Sequence, residues 1–274
     1  MVKKRLDLLL VERNLIETRE KAKRIIMAGL VFSEQERLDK PGMKVNEDTP
    51  LTVKGKLIPF VGRGGLKLEK ALKVFSVSAE NKIMADVGSS TGGFTDCALQ
   101  NGAKRSYAID VGYNQLDWKL RNDDRVTVME RTNFRYVTPD MLKNGTPDFA
   151  TIDVSFISLK LILPVLKQLL ATESDIIALI KPQFEAGKDQ VGKKGIVRDK
   201  KVHKSVLHEI ISFAEKEAYE FYELTHSPIT GGDGNIEFLA HLGWKKKVKG
   251  IRLTDAEIEL AVEKAHHELK KANS

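Results

Sequence analysis

A single cysteine, Cys97, stands in 274 residues, so no internal disulfide can form and a cross-linked scaffold is excluded. One cysteine fits a reducing compartment, and its place within a helical stretch marks it as a small core residue rather than a nucleophile. The six histidines show no ligand spacing with cysteine or acids, so no metal is expected. Long apolar runs are also missing: nothing approaches the roughly 18 residues that span a bilayer. The run Leu8–Val11 behind Lys3, Lys4 and Arg5 stops at Glu12-Arg13-Asn14, too short for an export signal, which makes the cytoplasm the expected location.

What is present is a globular composition, 42% hydrophobic and 30% charged, with a net charge of +7 that suggests a polyanionic partner. The positive charge gathers at the N-terminus, where residues 1–60 hold 13 Lys and Arg against 9 Asp and Glu. A length of 274 residues allows one large and one small domain.

Asp86-Val87-Gly88-Ser89-Ser90-Thr91-Gly92-Gly93-Phe94-Thr95 reads as a strand end, a glycine turn and a helix start. Strand Lys82–Val87 precedes it, and a helix from Thr95 runs to the stop signal Asn101-Gly102. The missing Cβ atoms would let a ligand approach the backbone at Gly88, Gly92 and Gly93. A second strand, Ser106–Asp110, ends on an acid placed to meet ribose hydroxyls. The spacing is not Gly-x-Gly-x-x-Gly, and Asp86 at the strand tip would repel a pyrophosphate. A sulfonium suits it better, which points to S-adenosylmethionine. The candidate contacts are Asp86, Gly88, Ser89, Ser90, Gly92, Gly93 and Phe94, with Asp110 for the ribose and Asn133 after strand Val126–Met129 for the adenine.

Further strands near 149–153, 176–180, 219–226 and 237–242 alternate mostly with helical segments, the pattern of a doubly wound α/β sheet. The last strand follows its predecessor with no helix between, so it should pair antiparallel near a sheet edge. Asp153 and Lys181 end successive strands, Glu237 opens the last, and Lys67 sits just inside the first helix of this domain. Ligands of open α/β sheets bind at the carboxyl ends of strands, so these charges should share the crevice with the glycine turn.

The first sixty residues form a separate small α+β module. Leu6, Leu8, Leu9 and Leu10 give a short apolar helix; Thr18 caps a second through Met27; Gly29 ends it left-handed before strand Leu30–Phe32. Arg19, Lys21, Lys23 and Arg24 make that second helix basic, and Lys40 and Lys44 follow in a turn region, so one face can track phosphates. The order Arg5-Leu6-Asp7-x-Leu9-Leu10, then Thr18-Arg19-x-x-Ala22, Ile26, Gly29, Val31 and Asp39-Lys40-Pro41-Gly42, resembles the small RNA-binding domain named after ribosomal small-subunit protein four. Where that family carries Asn-Gly between two strands, this chain has Ser33-Glu34-Gln35-Glu36. The resemblance implies RNA contacts at Arg5, Arg19, Lys23 and Lys40, with Arg63 added from the start of the larger domain. A linker is expected over residues 54–65, with the next helix starting at Leu66.

The glycine turn together with Lys67, Asp153, Lys181 and Glu237 resembles the FtsJ-type ribose 2′-O-methyltransferases and their Lys-Asp-Lys-Glu tetrad. With the N-terminal module, residues 2–243 are similar to the TlyA (hemolysin A) family, through Arg63-Gly-Gly-Leu-Lys67, Ile152-Asp153-Val-Ser-Phe-Ile-Ser, Lys181-Pro-Gln-Phe-Glu and Ser227-Pro-Ile-Thr-Gly. Thr91 replaces the proline many members carry in the turn. The resemblance implies a Rossmann-like S-adenosylmethionine-dependent methyltransferase at residues 61–244 that acts on ribosomal RNA or ribosomal subunits, at the 2′-hydroxyl of cytidine. It implies Lys181 as base, Asp153 orienting it, and Glu237 with Lys67 holding the ribose. A lysine must first lose a proton; desolvation and Lys67 favour that, and Asp153 opposes it.

Two other classes remain open in the sequence: a membrane-acting hemolysin, for which no amphipathic or spanning element is found, and an RNA-binding protein whose methyltransferase fold serves another substrate. Residues 245–274 form a basic extension whose helix, from Thr254 to Lys271, carries an apolar stripe of Ile258, Val262, Ala265 and Leu269. The stripe should pack on the domain or a partner. The chain is expected to be monomeric.

Overall fold

The computed structural model describes residues 3–27, 29–54, 58–232 and 234–271. It divides into two compact units, Met1–Pro59 and Phe60–Ser274.

In the first unit, β1 (Lys3–Arg5) pairs antiparallel with β4 (Lys44–Asn46), while β2 (Val31–Ser33) pairs with β3 (Glu36–Arg37) and with β5 (Thr52–Val53). Helices α1 (Leu6–Glu12) and α2 (Arg19–Met27) bury Leu6, Leu10, Ala22, Ile25 and Ile26 against Val31 and Leu38. Local chemistry sets the ends of α2. Thr18 Oγ1 accepts from Lys21 N at 3.2 Å, and Gly29 takes φ +69°. Asp7, in the first turn of α1, is completely buried, yet it accepts from Arg5 Nε and Nη2 at 2.9 and 3.0 Å and from Arg19 Nε at 2.9 Å. These bonds hold its carboxyl down at about 2, the Arg5 bonds contributing most.

The second unit holds a seven-stranded sheet in the order β11-β12-β10-β9-β6-β7-β8. Its strands are β6 (Ile83–Val87), β7 (Arg105–Ile109), β8 (Val126–Met129), β9 (Phe149–Ile152), β10 (Ser174–Ile180), β11 (Tyr219–His226) and β12 (Phe238–Trp244). All neighbours are parallel except β12, which runs antiparallel to both β10 and β11, as the missing crossover helix required. The connecting helices are α3 (Gly64–Val74), α4 (Gly93–Gln100), α5 (Trp118–Arg121), α6 (Leu163–Leu169), α7 (Pro182–Glu185) and α8 (Lys200–Lys216). Strands β9 and β10 are buried along their whole length, which explains why their sequences are mostly apolar rather than alternating.

The boundary between the two units, after Pro59, falls within the expected linker of residues 54–65. Gly55, Lys56 and Leu57 lie outside the described residues, but Phe60 is buried and α3 starts at Gly64 rather than Leu66. A Cβ on Gly65 would stand 2.4 Å from the Phe60 ring, so this glycine serves close packing and not flexibility. Helix α4 likewise starts at Gly93, two residues before Thr95.

The C-terminal helix α9 (Asp255–Lys271) packs on α8 and β11. Ile258, Val262 and Ala265 join the main core and Leu269 is buried beside them, so the stripe finds its partner within the chain. Ion pairs Lys200–Glu263 and Lys204–Glu259 flank this seam. Apolar burial supplies most of the docking energy, at about 1.5–3 kcal/mol per large side chain.

Candidate active site

The turn between β6 and α4 is stitched to the end of β7. Gly88 and Ser89 donate their N–H groups to Ile109 O at 2.9 and 3.1 Å, and Ser90 N donates to Asp110 Oδ2 at 2.8 Å. Asp110 also accepts from Gly112 N at 2.6 Å, which fixes its half-buried carboxylate beside the turn at the carboxyl end of the sheet.

The glycines answer to the protein's own packing. Gly88 has φ +86°, and a Cβ there would lie 2.6 Å from Asp153 O; one on Gly92, at φ +92°, would strike Leu120 at 2.2 Å; one on Gly93 would strike Gly65 N at 2.7 Å. A side chain at any of the three would displace neighbouring backbone or leucines. Phe94 is buried, its ring lying beside Gly64 where α3 meets α4.

Asp86 is entirely buried, accepting from Thr95 N (3.1 Å), Thr95 Oγ1 (2.7 Å) and Thr151 Oγ1 (2.8 Å), so it ties β6 to α4 and β9. Burial pushes its carboxyl up to about 6 against the pull of those hydrogen bonds. Ser89, Gly92 and Gly93 are buried as well; Gly88, Ser90, Asp110 and Asn133 retain accessible surface. Asn133 spends its side-chain oxygen on Arg135 N at 3.1 Å, starting a short 3₁₀ turn, which leaves only its amide nitrogen for the adenine contact expected of it. Beside it Arg131 lies 4.0 Å over the ring of exposed Tyr113.

The four charged residues form one network. Lys67 Nζ is 3.2 Å from Asp153 Oδ2 and 2.8 Å from Glu237 Oε2, and Lys181 Nζ is 2.6 Å from Asp153 Oδ1. Topology explains the convergence: β9 and β10 are parallel neighbours, so the residues that follow them emerge side by side, while Glu237 precedes β12, which runs the opposite way along β10. Burial works against ionisation of Asp153, but the two ammonium groups outweigh it and hold its carboxyl below the usual range. Burial likewise opposes the charge on Lys67, and Asp153 with Glu237 outweighs it, raising that ammonium above its ordinary value.

Four groups around this network carried no role in the sequence reading. Lys181 Nζ donates to Ser155 Oγ at 3.1 Å and lies 5.8 Å from the Phe184 ring centre. Gln183 Nε2 sits 3.5 Å from Glu237 Oε1. Phe156, at φ +61°, is 92% exposed and stacks obliquely on Phe184 at 5.0 Å. An apolar ring in the loop immediately after Asp153 was the available signal. Of the expected RNA contacts, Arg63 is exposed at the start of α3; in the first unit Lys40 is exposed, Lys23 half-buried, and Arg5 and Arg19 already hold Asp7.

Comparison with known proteins decides the family. The FtsJ-like methyltransferase family matches residues 60–244, two thirds of the sequence. The chain belongs to that family. The S4 domain matches residues 4–50. Among curated relatives, YqxC of Bacillus subtilis, whose name marks it as a candidate rRNA methyltransferase, is 67% identical over 98% of this chain and 96% of its own length. The 16S/23S rRNA (cytidine-2′-O)-methyltransferase TlyA of Mycobacterium tuberculosis is 38% identical over 95% of this chain and 96% of its own. A hemolysin-named structure from Streptococcus thermophilus superimposes with a TM-score of 0.78 at 52% identity, covering 100% of this chain and 99% of that one. The FtsJ-like region therefore holds the glycine turn and all four network residues, while α9 lies beyond it. Among the described residues no helix is long and apolar enough to cross a membrane.

Proposed function

We propose that this chain methylates ribosomal RNA at the 2′-hydroxyl of a cytidine ribose, using S-adenosylmethionine. The observation that carries the reading is the single Lys67–Asp153–Lys181–Glu237 network at the strand ends beside the turn. The names of the curated relatives support the substrate class.

The surroundings of the turn suit this cofactor. Asp110, held by Ser90 N and Gly112 N, offers a carboxylate to ribose hydroxyls, and Asn133 and Tyr113 flank the position for adenine. When bound, S-adenosylmethionine supplies a methyl group already activated on sulfonium. The protein must hold a ribose hydroxyl in line with that methyl and remove its proton. Lys181 is the base: once it has given up its own proton to solvent, its neutral Nζ, aimed by Asp153 and Ser155, accepts the hydroxyl proton as oxygen attacks. Asp153 orients Lys181 and offsets the ammonium that results. Lys67, bridging Asp153 and Glu237, offsets the repulsion between the two carboxylates and fixes Glu237 for contact with the ribose. Positioning of this kind supplies about 7–11 kcal/mol of barrier reduction.

Residues 1–60 serve as RNA anchor and 61–244 as catalyst, with the ribosome in the cytoplasm as the place of action. Labelled methyl transfer to purified ribosomal subunits, with mapping of the label, tests this. Label on a cytidine ribose supports it; label confined to bases, or none, sinks it.

A further inference from the structure

Past α7 the chain builds a small basic hairpin. Gly192 and Ile196 form an isolated antiparallel bridge, with Gly192 N donating to Ile196 O at 3.1 Å, and Lys193, Lys194 and Gly195 make the tip. Both lysines are exposed, and neither enters an ion pair among the described residues, although this protein pairs many of its other lysines. Lys194 has φ +67°, followed by Gly195 at φ +70°. A lysine in the left-handed region is strained where glycine or asparagine would not be, so its charge is held at the tip against local preference.

The hairpin is seated firmly. Asn235, 2% exposed, accepts from Val197 N at 3.0 Å and donates from Nδ2 to Gly195 O at 2.9 Å, while its own carbonyl accepts from Gly231 N at 2.9 Å. Asn235 is two residues before Glu237, and a Cβ on Gly231 would touch Glu237 Oε1 at 2.7 Å. One buried amide thus fixes two free cations relative to the reaction centre.

We propose that the Gly192–Ile196 hairpin is a phosphate-gripping finger, in which Lys193 and Lys194 hold backbone phosphates of the RNA strand that presents its ribose to Lys181. The proposal rests on reading this chain as an RNA methyltransferase. Pre-ordering by Asn235 removes the entropy that a free loop would lose on binding.

The test uses the full chain and ribosomal RNA in filter binding across a salt series. The variants are Lys193→Glu/Lys194→Glu, the gentler Lys193→Ser/Lys194→Gly, and Lys216→Glu at the far end of α8 as a control for net charge. Each phosphate contact contributes about 0.7–0.9 to the log–log salt slope, so both double variants should flatten it by about 1.4–1.8 and weaken binding roughly 10–50-fold at 0.1 M salt. Lys193→Ser/Lys194→Gly should melt no lower than the parent, because glycine relaxes the tip. Unchanged affinity and slope in the double variants, or an equal effect from Lys216→Glu, overturns the finger. If the parent methylates RNA and the variants bind normally, only the finger falls. If the parent fails to methylate but the slopes differ as stated, the functional reading falls, and with it the presentation of a ribose to Lys181, leaving the hairpin as an RNA contact alone.

Discussion

Lys181 Nζ lies 2.6 Å from Asp153 Oδ1 across two neighbouring parallel strands, and the same carboxylate reaches Lys67 Nζ through its other oxygen at 3.2 Å. Asp153 is thus the hinge of the site, tying both lysines together through its two carboxylate oxygens.

Lys181→Ala should abolish methyl transfer while leaving S-adenosylmethionine affinity within a few fold, since the amine acts on the reacting hydroxyl. Lys181→Arg should not restore turnover, because a guanidinium does not give up its proton near neutrality. Single-turnover kinetics beside calorimetry checks this, and wild-type rates in Lys181→Ala would remove it as base.

Gly88→Val should lower the melting temperature as well as cofactor binding. A Cβ 2.6 Å from Asp153 O at φ +86° shifts the very backbone that carries Asp153. Thermal melts decide: an unaltered melting temperature with lost binding would return the glycine to a ligand-approach role.

Phe156→Ala should weaken RNA binding with little change in stability. The ring is 92% exposed and, among the described residues, stacks on Phe184 alone, so one face is open to a base, an interaction worth about 1–3 kcal/mol. Equal RNA affinities for parent and variant in filter binding would dismiss that platform.

Asp7→Asn should loosen the N-terminal unit at neutral pH and not in strong acid. The carboxyl ionises near 2 in the fold, below its unfolded value of 3.8, so its stabilisation is complete above pH 4 and lost as pH falls toward 2. With both arginines partly solvated, the effect is about 1–2 kcal/mol. Hydrogen exchange of the α1 and α2 amides in the full chain measures it, and equal protection in parent and variant at pH 7 would contradict it. The same pairing makes Lys23 and Lys40 cleaner probes of RNA binding than Arg5 or Arg19: charge reversal at both should flatten the salt slope, whereas a merely solvated face would leave it unchanged.

The sheet was legible because β9 and β10 are mostly apolar and are followed directly by the charges Asp153 and Lys181, and the edge pair was legible because no helix separates β11 from β12. The stripe on α9 was legible from period alone. What sequence could not give was direction: Asp86 reads as a strand-tip acid, and only the fold turns it inward to Thr95 and Thr151. The same holds for Asp7, which looks like an ordinary helix acid until Arg5 and Arg19 close over it, and for the linker glycines, whose neighbours Phe60 and Phe94 become contacts only in three dimensions.

The most direct measurement is nucleoside mass spectrometry of ribosomal subunits incubated with S-adenosylmethionine and either the parent or Lys181→Ala. The expected result is 2′-O-methylcytidine above background with the parent and none with the variant. A methylated base in its place, or equal product from both proteins, would contradict it.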